Sequence, residues 1–223
     1  MSSVDRFVSP DGSVQGEGAY VRYEMWLRDL ETQFYSLVGL SGSFFAARRR
    51  VCQNWDSRVQ SDFGTALSCV QNGLRAVSAR TVIGYYRNIT DAGKEYQRKV
   101  RTVTRGMNSL RLRADVLNFW QYGRFSFEVF SHKLMRWATP WFLTVAFCLT
   151  FVLAPHRLLF RAFLVCQVLL YALPPLACIA PGMRRIALAR IGIYFVEVNV
   201  AMIHAALLVA AGRTILTWEP SKR

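Results

Sequence analysis

The second half of the chain is built from apolar runs with few interruptions. Residues 138–155 and 162–183 contain no charge, and 191–212 contain only Glu197. A helix needs ~20 mostly apolar residues to cross a ~30 Å hydrocarbon layer. The pattern therefore predicts three membrane-crossing helices over about 138–154, 160–181 and 191–212. Pro174 and Pro175 predict a kink or an end in the second. Just before the first run, residues 124–137 alternate at helical spacing. Phe127, Phe130, Leu134 and Trp137 form one stripe, while Glu128, His132, Lys133 and Arg136 fall elsewhere. Aromatic and cationic residues beside a span act as interface anchors, so this segment is expected to lie on the membrane surface.

The first half has shorter periods. Tyr20, Tyr23, Leu27, Leu30 and Phe34 recur at three- and four-residue steps and predict an amphipathic helix from Glu17 to Leu37. Gly39 and Gly42 break it. Ser43 to Arg48, Ala76 to Ala79 and Thr81 to Tyr86 read as short strands, with Phe44 and Phe45 supplying β preference in the first. A helix is expected from Ser61 until Gly73, and another from Gly93 to Arg113. The buried stripe of the latter would be Tyr96, Val100, Val103, Met107 and Leu110.

Charge changes this picture. The chain of 223 residues has a formal net charge of +14, which together with the apolar runs describes a basic membrane protein rather than a simple soluble domain. Residues 1–131 carry 18 Lys and Arg against 12 Asp and Glu, and residues 132–223 carry 10 against 2. Five cysteines, Cys52, Cys69, Cys148, Cys166 and Cys178, follow no zinc spacing and form no disulfide framework, as expected of reduced thiols. The N-terminal residues lack an apolar core of signal-peptide length. Arg184, Arg185 and Arg190 favour a cytosolic second loop, whereas Lys222 and Arg223 would then lie outside, so the positive-inside rule leaves the topology open.

The helix expected over 93–113 holds Lys94, Arg98, Lys99, Arg101, Arg105, Arg111 and Arg113 against one acid, Glu95. So lopsided a face calls for an anion. A nucleotide diphosphate, anionic lipid and nucleic acid all meet that description. No nucleic-acid reader motif accompanies the helix, so nucleic acid is set aside. In the third apolar run, Glu197, Asn199 and His204 are costly in lipid and are expected to face protein or water.

The order of segments resembles the C-terminal half of a family 2 glycosyltransferase, the membrane group that includes hyaluronan, chitin and cellulose synthases. Residues 16–28 (GEGAYVRYEMWLR) look like the helix after the metal-binding strand of those enzymes. Residues 39–49 (GLSGSFFAARR) look like their G-x-x-G-x-x-x-A-x-R-R segment beside the acceptor site. Ser61-Asp62-Phe63 stands where the family has its acidic pair, and residues 97–106 (QRKVRTVTRG) resemble a degenerate Q-x-x-R-W helix. SHKLMRW at 131–137 and TWEP at 217–220 are also similar to bacterial members.

The resemblance implies an α/β fold: a partial GT-A type cytosolic domain over 1–123, an amphipathic interface helix over 124–137, and about three transmembrane helices over 138–223. It implies transfer of a hexose from a nucleotide-sugar donor to a polysaccharide or lipid-linked acceptor at a bacterial inner membrane, with Asp62 as catalytic base. Ser41, Gly42, Ser43, Arg98, Lys99, Arg101 and Arg105 would line the substrate site. A carboxylate opening a helix can equally be a cap, and the family pattern is what favours the base. Mg2+ or Mn2+ is expected for the family, yet its D-x-D ligands are absent, Ser61 replaces an acid, and the tryptophan of the helix motif is missing. The implied protein is an incomplete transferase that lacks an N-terminal nucleotide- and metal-binding segment. The alternative is a non-catalytic, membrane-anchored basic scaffold that holds anionic lipid or a partner protein.

Overall fold

The computed structural model describes residues 15–42, 44–53, 56, 58–79 and 92–213, with the backbone alone for 15–22 and 92–94. In chain order the helices are α1 (Gln15–Phe34), α2 (Ser61–Gln71), α3 (Ala92–Leu112), α4 (Phe119–Tyr122), α5 (Arg124–Val129), α6 (Met135–Leu153), α7 (Leu158–Ile179) and α8 (Ala187–Ala210). A π turn over Phe130–Leu134 joins α5 to α6.

The expected α/β, GT-A type domain is corrected here: among the described residues there is no strand and no sheet. Ser36–Val38 and Ala76–Ser78 do run beside each other, and the Leu37 N–H donates to the Ala76 carbonyl at 2.9 Å. A ladder needs that exchange repeated, and side chains interrupt it. The Ala76 N–H goes to Ser36 Oγ (3.0 Å) and the Ser78 N–H to Thr32 Oγ1 (3.0 Å). Hydroxyls thus take the donors a sheet would use. Residues 44–48 are non-helical without strand pairing. Ser43 and the strand expected over 81–86 lie outside the described residues.

Helix ends have local causes. α1 stops three residues before the expected Leu37 because carboxylates replace the carbonyls one turn back. The Ser36 N–H donates to Glu128 (3.2 Å) and the Val38 N–H to Glu31 (3.3 Å). α2 begins at Ser61 as the pattern suggests, and Gly73 closes it at φ +66, donating to the Val70 carbonyl at 3.0 Å. Asn118 caps α4 by accepting the Trp120 N–H at 3.0 Å.

The core of the soluble part gathers Val38, Phe63, Leu67, Val70, Leu110, Val116, Phe125 and Val129. It lies where α2, the end of α3 and α5 converge. The other side of α3 packs through Val100, with Tyr96 and Val103, against Ala201 and Ala205 of α8.

Among the described residues three helices are long and apolar enough to cross a membrane: Arg124–Leu153, Leu158–Ile179 and Ala187–Ala210. At 1.5 Å per residue the middle one is about 33 Å long. It continues helical through Pro174 and Pro175 to Ile179, so the prolines do not end it. α7 and α8 approach closely at Gly192, where a Cβ would stand 2.5 Å from Leu173 Cδ1. The uncharged part of the first span begins at Ala138. The segment before it, 124–137, packs its polar side against α1. Glu128 is buried and His132, Lys133 and Arg136 are half-buried against protein, while Phe127 and Phe130 are exposed. The polar side turns inward because its opposite charges, Glu24 and Glu31, lie on α1.

Candidate functional site

The fold brings Asp62 and Gly42 together. Asp62 lies in the first turn of α2, its Oδ1 accepting the Phe63 N–H at 2.8 Å. Its Oδ2 is 3.1 Å from where a Cβ on Gly42 would stand, so a side chain there would press on the carboxylate. The Asp62 carbonyl accepts the Leu40 N–H at 3.4 Å. Ser41 lies in the same turn, half-buried; Ser43 is outside the described residues. The loop hangs from two buried acids, because Glu128 and Glu31 receive the backbone N–H groups of Ser36 and Val38 just before it.

The basic helix divides. Arg98 is held by Glu95 of its own turn, at 2.6 and 2.7 Å. Lys99 places Nζ over the Tyr194 ring of α8, 4.2 Å from its centroid. Arg101 and Arg105 have no ion pair among the described residues. Their position is set by α3 meeting the start of α2: the Gln60 N–H donates to Ser109 Oγ at 2.8 Å. Gly106 faces Trp137 and Gln60, at 3.1 and 3.8 Å from an imagined Cβ. Arg105 precedes Ser109 by one turn on the same face. No hydrogen bond or ion pair joins Asp62 to either arginine among the described residues.

A second set of side chains escaped the sequence reading. Arg136 pairs with Glu24 at 2.6 Å. His132 Nδ1 is bonded to Glu31 Oε1, and its Nε2 lies 3.7 Å from Glu24. Lys133 reaches the glycine loop, with Nζ 3.4 Å from the Cβ position of Gly39 and 5.3 Å from the centre of the Phe63 ring. A signal existed: Glu24 and Glu31 are seven apart on one helix, and Glu128, His132 and Arg136 are four apart on another. Matched spacings of opposite charge mark facing helices.

In the third span each polar residue has a protein neighbour. Glu197 lies 3.9 Å from Arg184, His204 Nδ1 is 3.3 Å from the Tyr96 hydroxyl, and the Asn199 amide donates to the Phe195 carbonyl at 2.8 Å. Among the described residues no three His, Cys, Asp or Glu gather as metal ligands; Asp62 does not fit a divalent-ion site. No protein-family model, curated protein or solved structure matches the chain.

Proposed function

We propose that this chain is part of a membrane glycosyltransferase, moving a sugar from a nucleotide-sugar to a polysaccharide or lipid-linked acceptor with inversion. The observation that carries the reading is the Asp62 carboxylate held against the Gly39–Gly42 turn, with α3 meeting the same end of α2. In this reading Asp62 takes the proton of an acceptor hydroxyl as its oxygen bonds to the anomeric carbon. The bond from that carbon to the diphosphate breaks, and the nucleoside diphosphate leaves with the electron pair. Arg101 and Arg105 offset the charge that develops there, through forked hydrogen bonds to phosphate oxygens. No step is routed through a metal ion. The apolar helices would hold the site at the cytosolic face of a bacterial inner membrane.

One observation favours a second reading, a basic scaffold bound to anionic lipid. α3 lies along α8, with Lys99 on Tyr194, which sets its cations beside a membrane-crossing helix. Titration of the purified chain in neutral-lipid nanodiscs with nucleoside diphosphates separates the two. On the transferase reading the wild type binds, and Arg101→Ala and Arg105→Ala each weaken binding about tenfold. Equal affinity in both variants would favour lipid as the partner of that face.

A further inference from the structure

Lys133 has no role in the chemistry derived so far, yet the fold delivers its ammonium to the turn that Asp62 faces. Nζ approaches Gly39 and Asp62 Oδ2 approaches Gly42, at 3.4 and 3.1 Å from the respective Cβ positions. Cation and carboxylate therefore border the two glycines of one four-residue turn. At most about 10 Å of chain separates those glycines, the scale of a sugar bonded to a phosphate. At Gly42 a side chain would press on the Asp62 carboxylate, and at Gly39 it would touch the Lys133 ammonium at ordinary contact distance.

The surrounding charges are already matched. Glu24 holds Arg136, and Glu31 holds His132. Lys133 has no hydrogen bond or ion pair among the described residues, and its nearest favourable contact is the face of the Phe63 ring. The Glu24, Glu31 and Asp62 carboxylates lie near enough to attract the ammonium, but none forms an ion pair with it among the described residues. An anion entering over the turn would pair with it directly.

We propose that Lys133 is a binding residue of the Asp62 site, its ammonium gripping a phosphate oxygen of the donor's diphosphate above the Gly39–Gly42 turn. The proposal rests on the transferase reading and adds a third cation to it, from a different helix than Arg101 and Arg105. During transfer Lys133 stays protonated and moves no proton. It holds the leaving diphosphate on the side of the sugar away from the carboxylate.

The test uses the full chain in neutral-lipid nanodiscs, titrated with uridine diphosphate and with inorganic pyrophosphate. Affinity and thermal midpoint are both read. Lys133→Gln and Lys133→Met should melt no lower than the wild type without ligand, because each removes a half-buried cation that makes no hydrogen bond or ion pair among the described residues. Both should lose about tenfold or more in affinity for either probe, and with it the ligand-induced rise in midpoint. Wild-type affinity in both variants would overturn the proposal while leaving the transferase reading intact, provided Arg101→Ala and Arg105→Ala still weaken binding. A lower midpoint without ligand would assign Lys133 to packing and also overturn it. A Lys133-dependent rise in midpoint produced only by anionic lipid would give the phosphate to a headgroup, against the proposal. No binding of either probe by the wild type would sink both readings together.

Discussion

Membranes carrying Asp62→Asn should fail to incorporate radiolabelled sugar from a nucleotide-sugar, with turnover down about 10²–10⁴-fold against the wild type. Asparagine keeps the shape of the side chain and an oxygen able to accept the Phe63 N–H, so the start of α2 and its contact with Gly42 survive. What it loses is the ability to take a proton. Membrane insertion and nucleoside diphosphate affinity should therefore stay close to wild type. A merely structural Asp62 predicts something different. The residue before α2, Gln60, makes no side-chain cap. Asp62 would then contribute only its interaction with the helix N-terminus, about 0.3–1 kcal/mol. The variant would melt slightly lower and turn over normally. Retained sugar transfer removes Asp62 from the mechanism.

The second large effect is on stability. Phe125→Ala should cost about 3–5 kcal/mol, a large share of the ~5–15 kcal/mol that holds a typical domain. Its side chain is fully buried among Val38, Phe63, Leu67 and Val116, with the Tyr35 ring 6.5 Å away. Collapse of the cavity is opposed next door, where the Ser126 hydroxyl donates to the carbonyls of Val116 (2.8 Å) and Asn118 (3.0 Å). The adjacent backbone is thereby pinned. Phe127 is the internal control: two residues on, 54% exposed, it should lose little when truncated. Limited proteolysis of the soluble part and thermal unfolding in detergent measure the difference. Equal midpoints for Phe125→Ala and Phe127→Ala would show that this cluster is not what holds the soluble helices together.

Long periodic segments were readable from the sequence because their signal is internal. The stripe of α3, the start of α2 at Ser61 and the apolar runs of α6 to α8 depend on spacing within one segment. The strands were not readable. Val77 and Ala79 have the right pattern, but whether an extended segment joins a sheet depends on what satisfies its donors. Here Thr32 and Ser36 did so, from forty-odd residues upstream. The packing of the polar side of 124–137 against α1 was hidden for the same reason. Glu128, His132 and Arg136 look water-facing until Glu24 and Glu31 are set opposite them. Within the candidate site, the resemblance assigned Asp62 and Gly42 to one site, and their close approach in space was not itself legible. Arg98 and Lys99 were grouped with Arg101 and Arg105 by the charge of the helix and by its resemblance to the Q-x-x-R-W segment; in the fold the first meets Glu95 and the second Tyr194. Lys133 was hidden because a lysine near a membrane reads as a surface anchor.

The π turn over Phe130–Leu134 gives the long helix two independent phases. Each residue of a regular helix advances the azimuth by about 100°, and a wider turn interrupts that count. Before it, Phe125 and Glu128 are clocked to the soluble core; after it, the uncharged face is clocked to α7 and α8. Without the interruption, aiming one half correctly would misaim the other. This short distortion acts as a gearing between a water-borne assembly and a lipid-borne one, letting each keep its own best orientation on a single continuous rod.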